Sequence, residues 1–108
     1  PDKLDFESQL PLSFLPEIVR LCNENGIQLI LVRMKTLRYP NQATEPRALS
    51  EYISDLRAYL DQNDVVLLDF SHDDRLTPDH FLDSVHMNAE GRAVFTPMLA
   101  DALRPYLP

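Results

Sequence analysis

The six residues Val65-Val66-Leu67-Leu68-Asp69-Phe70 decide the fold. They are an apolar run of strand length, β-branched at its start. A run without polar alternation reads as a strand covered on both faces, as in a parallel sheet. A second such run, Ile27-Gln28-Leu29-Ile30-Leu31-Val32, lies upstream. Between the two, Leu49, Tyr52, Ile53, Leu56 and Leu60 recur at helical spacing. Thr44-Glu45-Pro46 is a helix-start signal, and Asn63-Asp64 is a stop. The pattern predicts a helix over residues 46–62, with Glu51, Asp55, Arg57 and Asp61 on its solvated face. Two strands joined by such a helix imply parallel pairing through a right-handed crossover.

Further upstream, Ser13-Phe14-Leu15-Pro16-Glu17 is another start signal. Leu15, Ile18, Val19 and Cys22 form one stripe, and Asn25-Gly26 stops the helix. Residues 1–12 carry no clear period, and Asp2, Asp5 and Glu7 make them an acidic, irregular lead-in. The chain opens Pro1-Asp2-Lys3-Leu4-Asp5, without an initiator Met or a signal peptide, and reads as a cut end. A loop is expected over residues 36–44, with a turn at Tyr39-Pro40-Asn41.

Downstream of the second strand, Thr77-Pro78-Asp79-His80 reads as one capped helical turn. A last helix is expected from residue 88 or 89 to 103, buried through Val94, Phe95, Met98, Leu99, Ala102 and Leu103. Pro97 inside it predicts a kink or a restart. The element order is helix, strand, helix, strand, helix. Two strands make a poor sheet. Further strands are therefore expected from another half of the same protein or from a partner molecule.

The stretch Phe81-Leu82-Asp83-Ser84-Val85-His86-Met87-Asn88-Ala89-Glu90-Gly91 carries the chemistry. Asp83 stands three residues before His86, so one short turn can bring carboxylate to imidazole. A carboxylate on one ring nitrogen fixes the tautomer and leaves the other nitrogen as a general base. In open α/β sheets the ligand crevice lies beyond the C-terminal strand ends, and both residues follow the second strand. The bland reading is an exposed histidine bonded to a local carboxylate.

This Asp-x-x-His, with its Phe-Leu-Asp lead-in and Asn-x-x-Gly helix start, resembles the last conserved block of SGNH (GDSL-type) hydrolases. The order of elements from about residue 15 to 107 is similar to that family's C-terminal half. The resemblance implies an α/β, partial three-layer flavodoxin-like fold with parallel strands. It implies that the whole chain, residues 1–108, is a single domain or a fragment of one. Asp83 and His86 would complete a Ser-His-Asp triad whose serine lies outside this chain. The family's Gly-Asp-Ser block is absent here, and Ser71 after the second strand lacks the Gly-Asp lead-in. Asn63 sits at a helix end, the wrong place for an oxyanion donor. The implied activity is an ester hydrolase or an O-acetyltransferase, acting on an ester or an acetylated carbohydrate without a cofactor. The isolated chain is expected to be inactive. The competing class is a non-catalytic, flavodoxin-like interaction or regulatory domain. Self-association, or pairing with an N-terminal half, fits either class.

Composition bounds these readings. The chain has 108 residues, 44% hydrophobic and 25% charged, with a net charge of −7. That charge argues against nucleic acid, whose phosphates need a basic face. No apolar run approaches the roughly 20 residues that span a bilayer. The single cysteine, Cys22, excludes an internal disulfide and reads as a buried structural thiol. Arg33, Lys35 and Arg38 cluster after the first strand, at the predicted edge of His86. They are candidate substrate contacts for an anionic group, or ordinary surface charges paired with nearby acids. His72, Asp73, Asp74 and His80 are suitable metal-ligand types, but their spacing matches no tight signature. They are read as turn and cap residues, and no metal is expected.

Overall fold

A computed structural model describes residues 5–108; Asp2 and the rest of the opening tetrapeptide lie outside the described residues. The helices are α1 (Phe6–Gln9), α2 (Leu15–Glu24), α3 (Arg47–Gln62) and α4 (Ala89–Leu103). The strands are β1 (Ile30–Arg33) and β2 (Val66–Asp69). Short 3₁₀ turns cover Leu10–Leu12, Gln42–Thr44, Pro78–His80 and Arg104–Tyr106. The Val66 N–H donates to the Leu29 carbonyl at 3.2 Å, and the Phe70 N–H donates to the Arg33 carbonyl at 2.9 Å. The register advances in the same direction on both strands, so the two-stranded sheet is parallel. The α/β class expected from the two apolar runs is the one observed.

The chain gathers into two compact units, and both strands begin in the first and end in the second. The first comprises residues up to 31 together with Glu45–Leu67. Its core is Val19, Leu60 and Val65, with Leu15, Leu29, Leu31, Leu56, Tyr59 and Leu67 packed around them. The residues before α2 correct the expectation of an irregular lead-in. They form α1 because Phe6 is buried, edge-on to Tyr52 at 5.4 Å and tilted against Tyr59 at 5.8 Å. That contact comes from residues about 50 positions away, which no local period records.

Both long helices of this unit end in the same device. Gly26 takes φ +66°, and the Ile27 N–H reaches back to the Cys22 carbonyl at 2.8 Å. Asp64 takes φ 59°, and the Val65 N–H reaches the Leu60 carbonyl at 3.0 Å. Each is a Schellman motif that satisfies an orphan helix carbonyl. It also explains why β1 starts at Ile30 and not at Ile27. The Ile27 N–H is committed to the helix end, and its side chain is exposed. Ile18, expected on the buried stripe of α2, is exposed as well, and Cys22 is half-buried.

The second unit comprises Val32–Thr44 and Leu68–Pro108. Its core is Phe70, Leu76, Phe81, Phe95 and Met98, with Phe70 edge-on to Phe95 at 5.1 Å. Helix α4 runs through Pro97 without the expected restart. Pro97 and Ala93 both lie on the exposed face, so water can satisfy the carbonyl that proline leaves unpaired. Among the described residues no helix is long and apolar enough to cross a membrane.

Candidate functional site

The site is a short loop between the Pro78–His80 turn and α4, closed at its base by polar contacts. Thr77 and His80 form a capping box, in which the Thr77 N–H donates to His80 Nδ1 at 3.0 Å. His80 is thereby committed to structure, with its Nδ1 as acceptor. Asn88 caps α4: its side-chain oxygen accepts from the Gly91 N–H at 2.8 Å, and its Nδ2 donates to the Asp79 carbonyl at 2.7 Å. The Asn88 N–H also donates to the His80 carbonyl at 2.9 Å. Gly91 is required by close approach, because a Cβ there would stand 2.2 Å from the His80 carbonyl oxygen. The Asn-x-x-Gly pattern therefore clamps α4 onto the turn before the loop.

Above this clamp, Phe81 and Met87 pair as an isolated antiparallel bridge, and the Leu82 N–H donates to the His86 carbonyl at 2.8 Å. Residues 82–86 form the tip. The Leu37 N–H donates to the Ser84 carbonyl at 2.8 Å, tying the tip to the segment after β1. At the tip, Asp83 Oδ1 accepts from the Val85 N–H at 2.9 Å and from the His86 N–H at 2.8 Å. His86 Nδ1 lies 3.0 Å from both Asp83 oxygens. The Val85 N–H, then the His86 ring, then the His86 N–H hold the Asp83 carboxyl below the ordinary aspartate range. An ionised carboxylate can only accept, so the Nδ1 proton belongs to His86 in the neutral ring. The Nε2 lone pair is then available on an imidazole side chain that is 71% exposed. The pair expected from spacing is thus in hydrogen-bond reach, held by backbone amides and open to solvent.

His86 lines an open cleft of about 500 Å³ together with Met34, Lys35, Val85, Met87, Arg92, Phe95, Thr96 and Leu99. Of the three cations singled out after β1, only Lys35 lines it. Lys35 is buried, and its Nζ donates to the Asp73 carbonyl at 2.8 Å. Arg33 instead pairs with Asp69 at 3.4 Å, and Arg38 is an exposed side chain that does not line the cleft. Burial would raise the Asp69 carboxyl, but hydrogen bonds from Ser71 and the Arg33 charge outweigh it and hold it low. Arg92, which the sequence reading passed over, is the cation that α4 adds to the cleft wall. Its place four residues after the Asn88 cap was the available signal.

The loop after β2 carries turn chemistry. Asp69 Oδ1 accepts from the Ser71 N–H at 2.9 Å, and Asp73 Oδ1 accepts from the Arg75 N–H at 3.0 Å. Among the described residues no group of three or more His, Cys, Asp or Glu side chains could hold a metal ion.

No family model and no curated protein matches this sequence. Among solved structures, the chain is similar to one from Bacteroides fragilis described as a "putative acylhydrolase". The two are 20% identical with a TM-score of 0.61, over 87% of this chain and 50% of that one. The chain has an acylhydrolase-like α/β fold. It spans about half the length of the acylhydrolase-like structure it matches. At that level of identity the likeness concerns the fold, and the chemistry has to be argued from the site.

Proposed function

We propose that this chain is the C-terminal part of an SGNH-like acyl-transfer domain and supplies the Asp83–His86 pair of a Ser-His-Asp triad. The observation that carries the reading is His86 Nδ1 set 3.0 Å from both oxygens of a carboxylate that two backbone amides keep ionised. The acylhydrolase-like fold supports it. In this reading the nucleophilic serine and its oxyanion donors lie outside these 108 residues. His86 Nε2 takes the serine proton as the serine attacks the ester carbonyl, and returns it to the leaving alcohol. Asp83 orients the ring and stabilises the imidazolium. Water as the second acceptor makes the domain an esterase, and a sugar hydroxyl makes it an O-acetyltransferase.

The test is a paired assay of this chain and of a longer polypeptide carrying the nucleophile half, on a simple aryl ester and on acetylated sugars. The longer protein is expected to lose about 10²–10⁴-fold in kcat on His86→Ala. Asp83→Ala should cost less, since Asp83 acts through His86. The 108-residue chain is expected to show no saturable turnover, because oxyanion donors alone contribute a factor of about 10²–10³ elsewhere and none is supplied here. Turnover by the short chain that survives His86→Ala would place the chemistry in other residues.

A further inference from the structure

His80 is the ionisable part of the frame beneath the Asp83–His86 loop, and its side chain is only 11% exposed. A backbone N–H can only donate. The Thr77 N–H, 3.0 Å from Nδ1, therefore assigns the lone pair to Nδ1 and the ring proton to Nε2. An imidazolium carries hydrogen on both nitrogens, so its Nδ1–H would point at the Thr77 N–H, donor against donor. The Thr77 hydroxyl oxygen is no substitute. It lies 3.5 Å from Nδ1, at the limit of hydrogen-bond range, and already accepts from the His80 N–H. The charged groups beside the ring are acids. Glu90 of α4 stands 3.9 Å from Nε2 on a side chain that is 72% exposed, so water screens it. The Asp79 carboxyl of the same turn is exposed. Neither acid bonds Nδ1. The capping box therefore exists only with a neutral ring, and the His80 carbonyl that holds the Asn88 N–H belongs to the same residue.

Resting on the Asp83–His86 reading, we propose that His80 is a positioning residue whose protonation releases the base of the loop. Neutral, it holds the Thr77 turn closed and presents its carbonyl to the Asn88 cap of α4. Protonated, it loses the Thr77 N–H, and the turn lets go of the Asn88 N–H and of the Phe81–Met87 bridge above it. The bonds inside the tip, from the Val85 and His86 amides to Asp83, do not involve His80 and survive. The pair is displaced as a unit and not dismantled. Acid then acts on the site twice, once on the His86 ring and once on the residue beneath it.

The experiment is an NMR pH titration of the 108-residue chain, following the ring C–H signals of His80 and His86 and the amides of Thr77, Asn88 and Val85. The Thr77 and Asn88 amides are expected to move with the midpoint of the His80 ring, while the Val85 amide keeps its bonded shift through that step. His80→Gln places at this position the residue that can accept the Thr77 N–H without titrating. It should keep the Thr77 and Asn88 shifts of the parent at neutral pH and abolish their acid step. His80→Ala should shift both amides at neutral pH as acid does, with Thr77 N–H exchange about tenfold faster, the ordinary value of a lost cap. His86→Ala and Glu90→Gln should each leave the step in place. A Thr77 step that follows the His86 ring, persists in His80→Gln or vanishes in Glu90→Gln would overturn the role of His80. So would a Thr77 amide that ignores the His80 titration, or a Gln variant with the shifts of the Ala variant. Each of these outcomes is read on the short chain without a serine. Failure here is therefore distinct from failure of the triad reading, which is decided by the His86 dependence of the longer protein.

Discussion

In the first unit, Val19, Leu60 and Val65 form the core among residues drawn from α2, α3 and the strand starts, with Phe6 buried against α3. The helix ends there are closed by backbone bonds and by the Asn25 and Asn63 side chains, each donating to the carbonyl four residues before it. In the second, five large side chains make the core, and the loop beside it is fixed by side-chain polar groups of Thr77, His80, Asp83 and Asn88. The first unit is held by periodic burial, which specifies where helices lie and little else. The second spends specific polar residues on holding one exposed imidazole still. Exposure of a pinned side chain is costly to arrange, and it is what a reacting group needs. The contrast supports the proposed role of the Asp83–His86 pair without reference to any relative.

The contrast is broken most severely by Leu60→Ala. Leu60 has 0% exposure, so truncation leaves a cavity as well as lost transfer energy. A loss of about 3 kcal/mol is expected in denaturant unfolding. The amide shifts of Asp83 and His86, where folded protein remains, should be unchanged. A loss below about 1 kcal/mol would mean that the first unit has no core worth the name.

Gly91→Ala is next, and it attacks the second unit. The new methyl would meet the His80 carbonyl at 2.2 Å, and that atom is backbone in a capped turn. A loss of about 2 kcal/mol is expected, within the usual range for overpacking. Amide shifts at Asp83 and His86 should move with it, because α4 and the loop share the clamp. If stability fell while those shifts stayed fixed, the clamp would not be what positions the pair.

Asn88→Ala should cost about 1 kcal/mol, the ordinary value of an N-cap, with some addition from the lost bond to the Asp79 carbonyl. Asn88→Ser, which can still cap, should recover most of it. Identical losses for both variants would assign the effect to the Asp79 contact.

Legibility in the sequence followed the same division. The parallel pairing followed from two apolar runs joined by a helix. The α2 stripe was legible only at Leu15 and Val19, since Ile18 is exposed and Cys22 half-buried. The stripe of α3 and the Asn25-Gly26 and Asn63-Asp64 stops were readable because each depends on neighbours in sequence. The capped turn at Thr77 and the Asp83–His86 contact were readable for the same reason: three-residue spacings close locally. What stayed hidden was nonlocal. Phe6 orders α1 only because Tyr52 and Tyr59 come to it. Ile27 leaves the strand because its N–H is taken by Cys22. Arg33 pairs with the Asp69 carboxylate, as one of the two readings of its cluster had it, but Lys35, read as a surface charge or a substrate contact, is buried with its ammonium on the Asp73 carbonyl. Arg92 and the cleft it lines become visible only when α4 is placed beside the His86 loop.

The smallest effect expected is also the one that separates the two roles of Asp83. Its carboxyl is held low, and the largest cause is the Val85 amide, with the His86 ring second and the His86 amide third. A carboxyl whose folded pKa is depressed contributes stability above its unfolded value, near 3.9. That contribution is lost as pH falls through the folded value. The Asp83 loop should therefore keep its amide pattern down to a pH below the ordinary aspartate midpoint and then loosen. His86→Ala removes the ring but neither backbone N–H. The Asp83 titration, followed by its side-chain carboxyl carbon shift, should move only part of the way back toward the unperturbed value. The Val85 amide shift should still report the bonded loop in the variant. If His86→Ala returned Asp83 all the way to an ordinary midpoint, the imidazole would be what organises the carboxylate. The loop would then be a consequence of the pair and not the frame that presents it.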